Sequence, residues 1–181
     1  MTSFVAFLRA VNLGPVNHLP KEVLKVIGEA CGFARVRTYI ASGNLLFEAD
    51  GDEAAVKAAL EAKLAAHAGR PLPAMIRTAA ELAAIRDANP FPDAPGNRVT
   101  AILLDTMPPP DALDHARHLA GEQMALGTRE IYVRYTDTGM GQSKRTIPAA
   151  KPGTARNTNT IAKLGTRTIV TFWQNGLAIW P

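Results

Sequence analysis

The order of apolar periods in the first 77 residues restricts this chain more than any other feature. Residues 3–9, SFVAFLR, form a short run with β-branched and aromatic members, which predicts a strand. Residues 10–19 carry the loop formers Asn12, Gly14, Pro15 and Asn17. Pro20 suits the first turn of a helix, and Val23, Leu24, Ile27 and Ala30 recur at helical spacing until Gly32. Residues 35–41 alternate and are rich in Val, Thr, Tyr and Ile, Ser42-Gly43-Asn44 is a tight turn, and residues 45–49 return. Residues 52–68 are Ala/Leu-rich, with Asp52 and Glu53 where a helix dipole favours them. Gly69-Arg70-Pro71 breaks that helix, and residues 72–77 read as a fourth strand. The succession β-α-β-β-α-β predicts a ferredoxin-like unit, an antiparallel sheet in the order 4-1-3-2 with both helices on one face. It would bring Arg9, Asn12, Gly14, Asn17, Ser42, Gly43, Asn44 and Arg70 to one edge.

The remainder predicts a second, smaller unit. Thr78 and Glu81 match a capping box and open a helix to about Ala88, and Asn89-Pro90-Phe91-Pro92 ends it. An apolar strand follows over residues 98–105, then a helix from Pro108 to about Leu119, and two short strands over 122–126 and 129–136. Gly139-Met140-Gly141 reads as a loop, residues 143–150 as a short helix, and Asn157 with Thr160 as the cap of a last helix over 158–164. Residues 167–174 are strand-like and Asn175-Gly176 is a strong hairpin turn, so a terminal β-hairpin carrying Trp173 and Trp180 is expected. The fold class is therefore α+β: a ferredoxin-like domain over 1–78, a linking helix and turn over 79–96, and a second α+β domain with terminal hairpin over 97–181.

Composition removes several functional classes. With 47% apolar residues the chain can bury a core. Cys31 is the single cysteine, so no intrachain disulfide forms, and its apolar surroundings fit a buried small hydrophobe. No apolar run reaches the ~18 residues that span a bilayer. The first strand ends, rather than begins, with its positive charge at Arg9, unlike a secretory leader. These features predict a cytoplasmic protein with no membrane partner. There is no Walker loop, GxGxxG, HExxH, paired CxxC or GxSxG, and no cofactor is expected.

Three separated segments carry a family resemblance: FLRAVNLG at 7–14, VRTYIASGNLLF at 36–47, and Ser143-Lys144 followed by GTARNTNTIAKL at 153–164. With NPFP at 89–92 they resemble the bacterial family of unknown function called DUF1697. The resemblance covers about residues 1–164 and implies a two-part α+β fold whose first part is ferredoxin-like; it implies no reaction. The family usually reads R-G-I-N-V-G-G where this chain has Ala10 and Pro15, and R-N-W-N-T where it has Thr158. After Leu164 the family normally completes a helix, whereas this chain turns strand-like.

Two groups are candidate ligand residues. The first is Arg9, Asn12, Gly14, Ser42, Gly43 and Asn44. An arginine fork suits phosphate or carboxylate, and loop N–H groups can add an anion nest. Equally, these residue types set turn geometry. The second is Ser143, Lys144, Arg145, Lys151, Arg156, Asn157, Asn159 and Thr160, where a Gly153-led loop entering a helix could cradle an anion or simply be a solvated basic loop. A Ser143–Lys144 dyad is poorly placed, because neighbours on a helix do not face each other. Asp111, Asp114, His115 and His118 would share a helix face, as metal ligands or as ordinary surface polarity, and no metal is assigned. Tyr39 could stack bases on an open sheet face, or pack.

The formal net charge of +4 is unevenly held: residues 138–181 contain six bases and no acid, and the rest is net acidic. The sequence thus predicts a small anionic ligand, or a nucleic-acid backbone, in a polar basic cleft. An enzyme acting on a small phosphorylated substrate is the alternative, which lacks an evident general base unless a buried carboxylate such as Asp137 is tuned, and so is a module that homodimerises through the hairpin from Arg167 to Trp180.

Overall fold

The computed structural model describes residues 1–12, 18–136 and 140–173. Gly14, Pro15, Asn17, Asp137, Gly139, the Asn175-Gly176 turn and Trp180 lie outside the described residues. The chain is α+β, with two antiparallel four-stranded sheets. Its elements are β1 (Thr2–Leu8), α1 (Lys21–Ala30), β2 (Ala34–Tyr39), β3 (Asn44–Ala49), α2 (Glu53–Ala68), β4 (Ala74–Thr78), α3 (Ala79–Asp87), β5 (Val99–Leu103), β6 (Gln123–Leu126), β7 (Glu130–Arg134), β8 (Thr154–Asn157) and α4 (Thr158–Trp173). Two compact units divide them: residues 1–82 with the chain from Lys163 on, and residues 83–162. Among the described residues no helix is long and apolar enough to cross a membrane.

The first unit's sheet runs β2-β3-β1-β4. Alternation along β1 sends Phe4, Ala6 and Leu8 into one core with Leu24 and Ile27 of α1 and Val56, Leu60 and Leu64 of α2. The i, i+4, i+8 spacing on α2 lays three apolar side chains along a single face. Asp52 caps α2 by accepting the Ala55 N–H at 2.8 Å. The opposite face of the sheet is buried too: Val5, Phe7, Leu46, Met75 and Arg77 have 4% exposure or less. Tyr39 pairs with Asn44, which also pairs with Phe7, so all three share that face. The guanidinium of Arg167 on α4 lies 4.8 Å from the Tyr39 ring centroid. The ring therefore carries an arginine rather than an open stacking platform.

The second unit's sheet runs β6-β7-β5-β8. Ile102, Ile131, Val133, Tyr135 and Ile147 form its core. Four expectations are corrected here. The short helix expected over 143–150 shrinks to one 3-10 turn, Pro148–Ala150, because Thr146 is taken up in pairing with Arg117. No helix forms over 108–119. Instead Ala112, Asp114 and Ala116 donate to carbonyls three residues back, tightening the chain into turns, and Arg117 then pairs with Thr146 through two backbone bonds of 2.9 Å. The loop expected at 153–157 is a strand, β8, paired along β5. Gly153 enters it because a Cβ there would stand 2.6 Å from the Leu103 carbonyl oxygen. Finally, α4 continues to Trp173, so the strand expected over 167–174 is absent and with it the first arm of the hairpin. Ile161 and Leu164, both fully buried, fix the helical period, and that burial outweighs the β-branched composition of the following turns.

Candidate functional site

At the edge of the first unit the polar side chains turn inward on the backbone. Asn12 donates to the carbonyls of Leu19, at 3.2 Å, and Ala41, and accepts the Leu19 N–H at 2.8 Å. It thereby closes its loop and ties it to the β2–β3 turn. Asn44 is fully buried and donates to the Tyr39 carbonyl at 3.0 Å and to Ser42 Oγ at 2.9 Å. Gly43 has φ +71, and its carbonyl accepts the Leu8 N–H at 2.8 Å. A Cβ there would lie 2.3 Å from Val11 Cγ2, so the position is closed to any side chain. Arg9 is half-buried, with its N–H on the Pro73 carbonyl at 2.9 Å.

What this framework encloses is a cleft of about 780 Å³. Asn12, Gly43, Thr38 and Ala41 line it, as do His18, Lys21 and Lys25, which the sequence reading did not single out. Their signal was present: Lys21 and Lys25 stand i, i+4 at the start of α1, on one face. Leu19 and Leu24, 5% and 2% exposed, give the cleft an apolar floor. Lys21 pairs with Glu22 at 3.7 Å and Lys25 with Glu29 at 3.5 Å, all well exposed, which constrains the ammonium groups little. Pro20 precedes α1, and among the described residues no side chain caps the helix start. Ala10, Asn12 and Ile40 hold positive φ around this edge, a cluster of left-handed non-glycine residues.

The second candidate group separates into two roles. Arg156 is 9% exposed and donates to Thr154 Oγ1 at 2.9 Å and to the Ala155 carbonyl at 2.8 Å. Burial lowers its pKa to about 10, which leaves it a cation at neutral pH. Asn157 caps α4 by accepting the Thr160 N–H at 2.9 Å. Thr158 donates to the Gly96 carbonyl at 3.1 Å, bringing the end of the NPFP loop against the start of α4. These residues hold the scaffold. Ser143 instead donates its hydroxyl to Glu122, and Arg145 donates to Tyr135 Oη with its guanidinium 5.0 Å from that ring's centroid. Hydrogen bonds from Ser143 and the Ala120 N–H hold the Glu122 carboxyl below its usual range. Lys144 is exposed. The Ser143 hydroxyl thus faces a carboxylate. Asp111 and His115 lie 3.2 Å apart on a turn, and His118 has φ +58; among the described residues no group of three or more metal-ligating side chains converges.

The profile of the family described as "Protein of unknown function (DUF1697)" matches residues 1–132. A solved structure, that of conserved bacterial protein SP0830 from Streptococcus pneumoniae, superposes with a TM-score of 0.76 at 19% identity, covering 93% of this chain and 99% of that one. That likeness concerns the fold. Comparison with curated proteins finds no match.

Proposed function

The chain belongs to the DUF1697 family, and from that premise we propose that its first unit is a ferredoxin-like binding module of the cytoplasm that takes a small ligand with an acidic group and an apolar body. The observation that carries this reading is where the family's first two motifs meet. Asn12 comes from one, Thr38, Ala41 and Gly43 from the other, and together they line the cleft that holds Lys21 and Lys25. The lysines supply charge for a phosphate or carboxylate, Leu19 and Leu24 receive the apolar body, and the uncapped start of α1 adds a favourable field for an anion. Asn12 and Asn44 act by building the cleft wall.

A thermal-shift screen of nucleotides, phosphosugars, aliphatic carboxylates and short RNAs tests the reading. A small acidic ligand should raise the melting temperature saturably. Lys21→Gln combined with Lys25→Gln should weaken it by about tenfold or more. Absence of any shift, or unchanged affinity in the double variant, would overturn it. A response confined to RNA and falling steeply with salt would favour a nucleic-acid backbone instead.

A further inference from the structure

The second unit has a cleft of its own, of about 480 Å³, where β5 and β6 begin and β7 ends. Arg98, Gln123, Arg134, Tyr135, Thr136 and Pro95 line it. None of the four polar residues Arg98, Gln123, Arg134 and Thr136 belongs to the motifs described above.

Arg98 is rigidly mounted. Its N–H donates to the Pro95 carbonyl at 2.7 Å and its carbonyl accepts the Tyr135 N–H at 2.8 Å. Its Nη1 donates to the Thr136 carbonyl, and Arg134 Nη1 donates to Gln123 Oε1 at 3.1 Å. A guanidinium offers five N–H donors, so each arginine keeps most of its donors after these bonds. Among the described residues neither has a carboxylate within ion-pair distance. Glu122 is next in the chain to Gln123, but its carboxylate already accepts the Ala120 N–H at 2.6 Å and the Ser143 hydroxyl, and Arg145 offsets its charge. The Gln123 oxygen is engaged by Arg134, which leaves its amide N–H groups; Thr136 Oγ1 donates to the Ala120 carbonyl at 3.3 Å, and Tyr135 Oη accepts from Arg145. Among the described residues, the polar side chains left to a ligand are therefore donors: two guanidinium forks and one amide.

The complement of such a set is a group that only accepts and carries more than one negative charge. We propose that this cleft binds the phosphate group of a small phosphorylated molecule, clamped between Arg98 and Arg134 with Gln123 as a third donor. The volume suits a metabolite-sized ligand. This site is separate from the first-unit cleft and does not rest on it.

Inorganic phosphate is the probe, titrated into the full chain and followed by amide chemical shifts in two-dimensional NMR. Saturable binding is expected, with the amides of Arg98, Gln123, Tyr135 and Thr136 moving. Arg134→Gln should weaken it by about tenfold or more, and Arg98→Gln by at least as much. Arg134 is exposed and, among the described residues, its side chain bonds to Gln123 alone, so its variant carries the test even where Arg98→Gln disturbs folding. Lack of saturation by about 10 mM phosphate, or equal affinity in Arg134→Gln, overturns the proposal. So does citrate binding as tightly at matched ionic strength, which would mark a polycarboxylate site. The Lys21→Gln/Lys25→Gln variant should bind phosphate here unchanged, so failure of this site and failure of the first-unit reading are told apart.

Discussion

The two units share a strand order but not a helix content. In each, the first strand in sequence is central, its neighbours are antiparallel, and the last strand lies at the edge: β2-β3-β1-β4 and β6-β7-β5-β8. Each edge strand also ends alike. Arg77 and Arg156 are buried, and each donates from Nη1 to the carbonyl before it, of Ile76 at 2.7 Å and of Ala155 at 2.8 Å. The next residue caps a helix: Thr78 accepts the Glu81 N–H at 3.2 Å, and Asn157 accepts the Thr160 N–H at 2.9 Å. Between these shared parts the units diverge. The first has α1 and α2 packed on one face of its sheet; the second has turns where those helices would stand. Ladder and edge-strand ending thus specify the repeated architecture, and the intervening helices are replaceable. The clefts differ accordingly, one at the end of the sheet where β1 finishes, the other where β5 begins.

The buried arginines provide the strongest attempt to break that equivalence. Truncating Arg156 to Ala removes its hydrogen bonds to Thr154 and Ala155 and opens a cavity beside β5, and the expected loss is about 3 kcal/mol in urea denaturation. Arg77→Ala should cost about as much, since Arg77 is fully buried beside β1. An Arg156→Ala chain within about 1 kcal/mol of wild type would show that the two edge strands are held differently. It would also reopen a ligand role for Arg156, which phosphate titration of the same variant would then detect.

The caps sharpen the comparison at a smaller scale. Thr78→Ala and Asn157→Ala each remove one side-chain acceptor from a helix start, for about 1 kcal/mol apiece. Thr78 is also held by Glu81, which accepts its N–H at 2.8 Å in a reciprocal box, whereas the first turn of α4 offers no such carboxylate. Asn157→Gly should therefore restore more of the loss than Thr78→Gly. Equal behaviour of the two would place the reciprocal bond outside the energetics of α3.

The first unit was the more legible in sequence because its punctuation is local. Pro20, Asp52 and the Gly43 turn each mark a boundary through their own backbone or side chain, and the structure places elements at those boundaries. The second unit depends on distant partners. Turns replace a helix over 108–119 because Arg117 is drawn into pairing with Thr146, 29 residues away in the chain. Strand β8 exists through its ladder with β5, which no local pattern in GTARN announces. The β-branched residues after Leu164 read as strand by propensity, and the helix whose period the buried Ile161 and Leu164 set runs on through them. For the site, the sequence marked the polar residues of the first two motifs, and in the structure Asn12 and Asn44 bond to neighbouring backbone at the edge of the first unit. Asn12 and Asn44 are structural, and the charges lie on Lys21 and Lys25 one turn along. Arg98 and Arg134 belong to no motif and emerge only when Gln123 and Thr136 are seen beside them.

The smallest effect concerns a residue that departs from its family. DUF1697 chains resembling this one usually carry glycine where Ala10 stands, and here Ala10 has φ +54. A Cβ in the left-handed region crowds the following carbonyl, at a cost of about 1 kcal/mol. Ala10 is exposed, so no packing offsets that strain. Ala10→Gly should relieve it, but glycine also loses more backbone freedom on folding, which takes back part of the gain. The net expectation is about 0.5 kcal/mol of added stability, seen as a small rise in the urea midpoint at unchanged slope. Because Ala10 adjoins the cleft through Asn12, the same variant tests whether that edge is held in place by strain or by the Asn12 bonds. If Asn12 suffices, Ala10→Gly leaves ligand affinity as it was while the midpoint rises. If the alanine is what fixes the loop, affinity falls despite the added stability, and the first cleft owes its shape to the strain.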